Sequence, residues 1–205
     1  FGGDGTINEV VNGISLHLQT KIFKILVFPI GSGNDFVKNY CSNLSIDKIE
    51  PIFDKISRNN YRTIRADLGK LVVNQLENLK VEKYFINAVG FGFDAFVAFY
   101  KEKLKYFSGL TAYIVSVFFV LLNYYSFKVV FNVKSNKIEQ ESLLITIANG
   151  ISSGGGFYLT PDAKIDDRLL DIGLVRYLRV LSIFIKIPLV LLNRTKKLVD
   201  DIKFF

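Results

Sequence analysis

From Thr6 onward the apolar residues Ile7, Val10, Val11 and Ile14 recur at i, i+3, i+4 and i+7, the spacing of one helix face. Thr6 and Glu9 stand at capping-box spacing, so the helix is expected to open at Thr6, directly after the glycine-rich stretch Phe1-Gly2-Gly3-Asp4-Gly5. The run KIFKILVF, 21–28, reads as a strand closed by Pro29. IGSGNDF reads as a second glycine loop leading into a short helix. Ile46, Ile49, Phe53 and Ile56 mark a third helix. This alternation of strand, loop and helix predicts an α/β unit with parallel strands.

After YRTIRADLGK the pattern changes. KYFINAVGF, FKVVFNV, ESLLITIANG and LLDIGLVR alternate or run apolar as strands do, the second and third joined by a polar turn around KSNK. Helical patterns over 93–103 and about 110–124 lie between the first and second of these strands. A boundary near Arg65 follows, with a partial α/β domain over 1–64 and a β-rich domain over 65–205. The uncharged run from Tyr106 to Phe127 is long enough to cross a bilayer. Ser108, Gly109, Thr111, Ser116, Asn123 and Ser126 interrupt it, leaving Ile114–Leu122 as the dense apolar part, so it reads as a core helix. Lys186 and Pro188 likewise argue against spanning by VLSIFIKIPLVLLN.

With 205 residues, half of them hydrophobic, the chain can bury a substantial core. The absence of methionine, and a first residue that reads as the end of a buried strand, lead us to expect a longer protein. The formal charge of +7 favours anionic partners such as nucleotides, phosphorylated substrates or acidic membranes. Cys41 is the only cysteine, which excludes an internal disulfide framework and a cysteine-based zinc site and points to a reducing, cytoplasmic setting. His17 is also alone, reads as a partly exposed residue near a helix end, and removes multi-histidine metal sites.

Two loops carry the candidate chemistry. Each puts glycines, a hydroxyl and an aspartate within a few residues: Gly3, Asp4, Gly5 and Thr6 in one, Gly31, Ser32, Gly33, Asn34 and Asp35 in the other. Glycines with positive φ let backbone approach a ligand, and helix N-termini offer free N–H groups to phosphate oxygens. An aspartate there would repel phosphate unless a cation intervenes. Mg²⁺ is such a cation, since it takes few carboxylates and completes its shell with water and phosphate oxygens. Asp4 therefore belongs to a metal–nucleotide site or to acid–base chemistry at the phosphate.

GGDGTINEVVNGI with PIGSGNDF resembles the diacylglycerol kinase catalytic-domain family, which includes sphingosine, ceramide and many bacterial lipid kinases. The first motif is shared with NAD kinases and resembles part of the phosphofructokinase site; the second is more specific, with Ser32 where the family usually has threonine. RADLG, FINAVGFGFDAFV, ANG followed by GGGFYLTPDAKIDD, and LLDIGLV continue the likeness in the family's order, over essentially the whole chain. The resemblance implies a truncated Rossmann-like, NAD kinase-like nucleotide-binding domain followed by a β-sandwich-type lipid-binding domain with inserted helices. It also implies an ATP- and Mg²⁺-dependent transfer of the γ-phosphoryl group to a lipid hydroxyl. Gly3, Asp4, Gly5, Thr6 and Gly31 to Asp35 would line the nucleotide site. Asp4, Asp35 and Asp67 would be the catalytic carboxylates, with Asp67 joining the magnesium-linked network across the cleft.

Bacterial members hold a second, structural Mg²⁺. The matching positions are the Asp167 side chain and the backbone carbonyls of Lys164 and Leu169, with Arg168 where the family usually has glycine. The family's Asp-Gly-Glu motif, whose glutamate is a general-base candidate in some members, lies beyond the equivalent of Phe205, so this stretch by itself is expected to be inactive. The partners implied are ATP and a lipid at the inner membrane surface, reached by a cytoplasmic, peripheral protein, with a homodimer compatible and no nucleic acid. An NAD kinase-like enzyme and a non-catalytic lipid-binding protein at the membrane surface are the alternatives. GISSG, 150–154, satisfies the G-x-S-x-G hydrolase pattern, but glycines and Pro161 follow it and the only histidine lies far upstream.

Overall fold

The computed structural model describes residues 1–17, 22–41, 49–74, 80–103, 109–123, 126–133 and 135–205. Helix α1 (Asp4–His17) is capped three residues earlier than the capping-box spacing predicts. The Gly3 carbonyl accepts the Ile7 N–H at 3.1 Å, which makes Gly3 the cap and puts the Asp4 carboxylate in the first turn, where the helix dipole favours it. Thr6 then lies inside the helix, and the buried face is Ile7, Val11 and Asn12, with Val10 turned outward at 45% exposure.

The strand expected over 21–28 is not formed in the described part, 22–28. Pairing there is confined to one parallel bridge, Gly2 with Pro29, and Ile22 is 94% exposed. A strand needs a ladder partner along its length, and the parallel sheet of the first unit is reduced to this single bridge among the described residues. Phe1, expected at the end of a buried strand, is exposed on one side and stacks on Phe28 at 4.5 Å on the other. Phe28 in turn stacks on Phe53 of α2 (Ile49–Ser57) at 5.8 Å. Ile46, which the helical spacing included, lies outside the described residues.

The later part is antiparallel. Strands β1 (Gly69–Asn74) and β2 (Lys80–Phe85) form a two-stranded ladder, and β1 had no counterpart among the expected strands. The expected strand KYFINAVGF is split: it ends β2, bends at Ile86–Asn87 and resumes as β3 (Ala88–Gly92) in a different sheet. The bend is held by the Asn87 carbonyl, which accepts the N–H groups of Asn149 and Gly150, and by the Asn149 side chain, which donates to the Ile86 carbonyl at 3.1 Å.

Helices α3 (Phe93–Lys103) and α4 (Gly109–Asn123) follow, close to the expected spans. Strands β4 (Phe127–Val133) and β5 (Asn136–Ala148) make the expected hairpin. The sheet runs β3, β5, β6 (Asp171–Arg176), β7 (Ile202–Phe204), with β4 also on β5. The C-terminal half of β5 is buried almost continuously, as befits a central strand covered on both faces. Helix α5 (Val180–Leu191) and the 3₁₀ turn Thr195–Leu198 pack on this sheet, and Leu121, Leu144, Val175, Ile183, Val190 and Ile202 form the main core. Asp201 pins the layer: its buried carboxylate accepts the Arg176 Nε at 2.8 Å and pairs with Lys186 of α5. No helix among the described residues is long and apolar enough to cross a membrane.

Candidate active site

Three glycine loops meet around the N-terminus of α1. A Cβ placed on Gly31 would fall 2.4 Å from the Gly3 Cα, and one on Gly3 would fall 2.9 Å from the Gly31 Cα. The first two loops thus touch backbone to backbone. The expected positive φ is absent from their glycines; close packing is what requires Gly3 and Gly31. The left-handed residue of the second loop is Asn34, with φ 51°. Its side chain accepts the Gly31 N–H at 2.9 Å and donates to the Gly31 carbonyl at 2.7 Å, so it shapes the loop from within. Three positive-φ glycines, Gly154, Gly155 and Gly156, lie together in the third loop, within the GGGFYLTPDAKIDD region.

Asp4 and Asp35 join these loops. Asp4 Oδ1 accepts the Phe36 N–H at 2.9 Å. Asp35, 3% exposed, accepts Lys38 Nζ at 2.7 Å, the Ser152 hydroxyl at 3.1 Å and the Gly155 N–H at 2.6 Å. Ser152, the serine of the hydrolase-like pattern, is buried and committed to this bond, and no helix follows it. Asn39 and Asn87 extend the seam: Asn39 accepts the Ile151 N–H at 2.8 Å, and Asn87 donates to the Ser152 carbonyl at 2.8 Å.

The result is a cleft of about 270 Å³ lined by Asp4, Asn8, Asp35, Phe36, Ile86, Asn87, Ala88, Gly90, Asp94, Ser153 and Gly154. Of the sequence-predicted residues, Asp4 and Asp35 line it. Gly3, Gly31, Gly33 and Asn34 build its loops, while Gly5, Thr6 and Ser32 are more exposed. The N–H groups of Asp4, Gly5 and Thr6 belong to the first turn of α1 and lack i−4 partners by construction. Asp94 was not singled out. It stands in the first turn of α3, and burial, followed by the charge of Asp35, pushes its carboxyl above its ordinary value.

Asp67 does not line the cleft. Its carboxylate accepts the Arg168 N–H at 2.6 Å, its own N–H donates to the Ile165 carbonyl at 2.6 Å, and its carbonyl accepts the Asn149 side chain at 2.9 Å. It therefore ties the residues after Arg65 to the loop that carries Lys164, Asp167 and Leu169. In that loop Asp167 Oδ1 accepts the Leu169 N–H at 3.0 Å, and Arg168 is held in the left-handed region at φ 64°. Burial, then the charges of Asp167 and Asp162, raise the Asp171 carboxyl.

No three His, Cys, Asp or Glu side chains among the described residues are arranged to hold a metal by themselves. A hard cation completed by phosphate oxygens still suits the cleft, because Asp4 has a second carboxylate oxygen beside the Gly33 position.

Two family models match this chain. The diacylglycerol kinase catalytic domain matches residues 1–71, and the YegS C-terminal NAD kinase beta sandwich-like domain matches residues 87–194. A diacylglycerol kinase of Staphylococcus carnosus is 32% identical over 167 residues, 81% of this chain and 49% of that protein. A YegS-like lipid kinase of Chromohalobacter salexigens is 31% identical over 178 residues, 86% of this chain and 52% of that protein. The chain thus spans about half the length of the curated relatives it matches. A crystal structure of a diacylglycerol kinase from Bacillus anthracis superposes with a TM-score of 0.56 at 21% identity, covering 100% of this chain and 60% of that one. The fold is therefore the mixed α/β arrangement of these proteins.

Proposed function

Since the chain belongs to the family of diacylglycerol kinases and YegS-like lipid kinases, we propose that it is an ATP- and Mg²⁺-dependent lipid kinase that moves the γ-phosphoryl group onto a lipid hydroxyl of the diacylglycerol type. One observation carries this reading: Asp4, in the first turn of α1, faces a cleft whose other walls bring Asp35 and Gly154 from two further glycine loops. Residues 1–64 would bind ATP and 65–205 the lipid. The free N–H groups at the start of α1 and the loop over Gly31 to Asp35 would take the phosphate oxygens. Asp4 would hold the Mg²⁺ that neutralises phosphate charge in the transfer. Asp35 would keep the second and third loops in register through its three donors. Phosphoryl transfer is chiefly positioning and charge neutralisation, which suits backbone donors on tightly packed loops. Asp67, one loop away, would act on the cleft through its bonds to Asn149 and Arg168. Asp167 with the carbonyls of Lys164 and Leu169 would hold the second Mg²⁺.

The lipid would arrive from a membrane surface touched peripherally from the cytoplasmic side. Phe96 and Phe99 of α3, Phe118 of α4 and Phe184 of α5 are exposed, and the last two rings lie 6.4 Å apart. Of the six basic residues between Ile172 and Val199, Arg176 and Lys186 pair with Asp201 and Lys196 with Asp162, which leaves Arg179, Arg194 and Lys197 to suit an anionic bilayer. The test is ATP-dependent phosphate incorporation by the full-length gene product, with a lipid panel in mixed micelles and NAD⁺ as the soluble control. Labelled lipid that disappears with Asp4→Ala is the expected result. Label in NADP⁺ would move the protein to NAD kinase chemistry, and no label anywhere would leave a lipid-binding protein.

A further inference from the structure

We propose that Asp94 is the group that takes the proton from the acceptor hydroxyl as the phosphoryl group is transferred. The inference rests on the kinase reading above and adds a residue to it. Three carboxylates border the cleft, and two are committed elsewhere. Asp35 is saturated by Lys38, Ser152 and Gly155, and Asp4 spends one oxygen on the Phe36 N–H. No hydrogen bond from a described residue reaches the Asp94 carboxyl. It lines the same cleft as the apolar residues Ile86 and Ala88.

The chain also makes room for this carboxyl. A Cβ at Gly90 would fall 2.3 Å from Asp94 Oδ2, so the glycine four residues earlier, on β3, lets the acid occupy its place. Helix α3 then leads away from Asp94 to the exposed rings of Phe96 and Phe99, the latter about 7.5 Å further along the axis at 1.5 Å per residue. One helix thus connects the proposed proton acceptor to the surface from which the lipid would come.

The charged groups around Asp94 are Asp35 in the second loop, Asp4 on α1 and Lys38, which is paired to Asp35. Strand β3 contributes none, and the described side chains of α4, packed on α3, include no titratable one. Burial first, and then the charge of Asp35, raises the proton affinity of Asp94, which improves it as a base. The acceptor O–H bond breaks and its proton goes to the Asp94 carboxylate. The freed oxygen electron pair forms the bond to the γ-phosphorus, and the bond from that phosphorus to the β,γ-bridging oxygen breaks, releasing ADP. The Asp94 carboxylic acid then loses its proton to solvent.

The experiment compares the wild type, Asp94→Asn and Gly90→Ala in the full-length gene product, measuring kcat for the lipid acceptor, KM for ATP and the pH–rate profile, with Tm alongside. Asp94→Asn is expected to lower kcat by about 100-fold or more with little change in KM for ATP, and to remove the acid limb of the profile. Its Tm at neutral pH should equal or exceed that of the wild type, because the variant removes a charge that burial and Asp35 both oppose. Gly90→Ala, which turns the carboxyl aside without removing it, should lower kcat while keeping an acid limb. An Asp94→Asn enzyme with kcat within threefold of wild type and the same acid limb overturns the proposal alone. A lower Tm with an unchanged profile would make Asp94 structural. A wild type that phosphorylates no acceptor overturns the kinase reading, and this assignment with it.

Discussion

Replacing Gly31 with alanine tests why the candidate site is rich in glycine. The new Cβ would lie 2.4 Å from the Gly3 Cα and 2.9 Å from Asn34 Oδ1, while carbon atoms rest at roughly 3.5–4.0 Å. The loops must separate by about 1 Å, and the bond by which Asn34 holds Gly31 must stretch. Overpacking of this kind costs about 1–3 kcal/mol. Because Gly3 caps α1, the same displacement carries Asp4, and an error of about 1 Å in a reacting group costs roughly 100-fold in rate. Urea unfolding and kcat, measured on Gly31→Ala beside Gly5→Ala, separate packing from ligand approach. A Cβ on Gly5 meets nothing within 4 Å, so Gly5→Ala should leave stability unchanged or raise it by up to about 1 kcal/mol. Gly31→Ala within about 0.5 kcal/mol of wild type and at full activity would refute the packing argument.

Asp201→Asn should lose about 3 kcal/mol in urea unfolding, since it leaves Lys186 and Arg176 without their shared carboxylate. Burial pushes the Asp201 carboxyl up, but the hydrogen bonds from Lys186 and Arg176 outweigh it and hold the carboxyl below its ordinary value. The stabilisation is therefore present above the unfolded-state value of 3.8 and lost as pH falls through the folded one, so an acid titration of stability should be flatter in the variant. Arg168→Gly should raise stability by up to about 1.5 kcal/mol, because it removes a left-handed cost of roughly 1–2 kcal/mol at φ 64° against about 0.5–1 kcal/mol of added unfolded-state entropy. Thermal unfolding reads this directly, and a lower Tm would mean that the Arg168 side chain stabilises the loop.

Much of the architecture was legible because local pattern and tertiary demand agree. The β4–β5 hairpin and helices α3 and α4 follow their apolar spacing closely. The pattern misled where a partner decides the outcome. The apolar residues of 22–28 have the composition of a strand, but pairing falls to Gly2 alone among the described residues. KYFINAVGF is one apolar run, yet Asn149 and Gly150, some 60 residues later, bend it into two sheets. The glycines were found by residue type while their reason was misread, since a backbone contact between Gly3 and Gly31 leaves no mark on either motif. Asp94 sat in a quoted motif unrecognised because its niche depends on Gly90 across the junction of a strand and a helix.

The same logic explains how the second loop can carry a buried aspartate. Asp35 could not remain buried on its own segment alone: besides Lys38, its donors are Ser152 and Gly155, 117 and 120 residues away. An unpaired buried carboxylate is costly, so the second loop has its shape only when the third is docked. The second loop in turn sets Asp4, through the Phe36 N–H and the Gly3–Gly31 contact. The N-terminal end of α1 is thus assembled by the β-rich part of the chain, and a change at Ser152 or Gly155 should reach Asp4 without touching it.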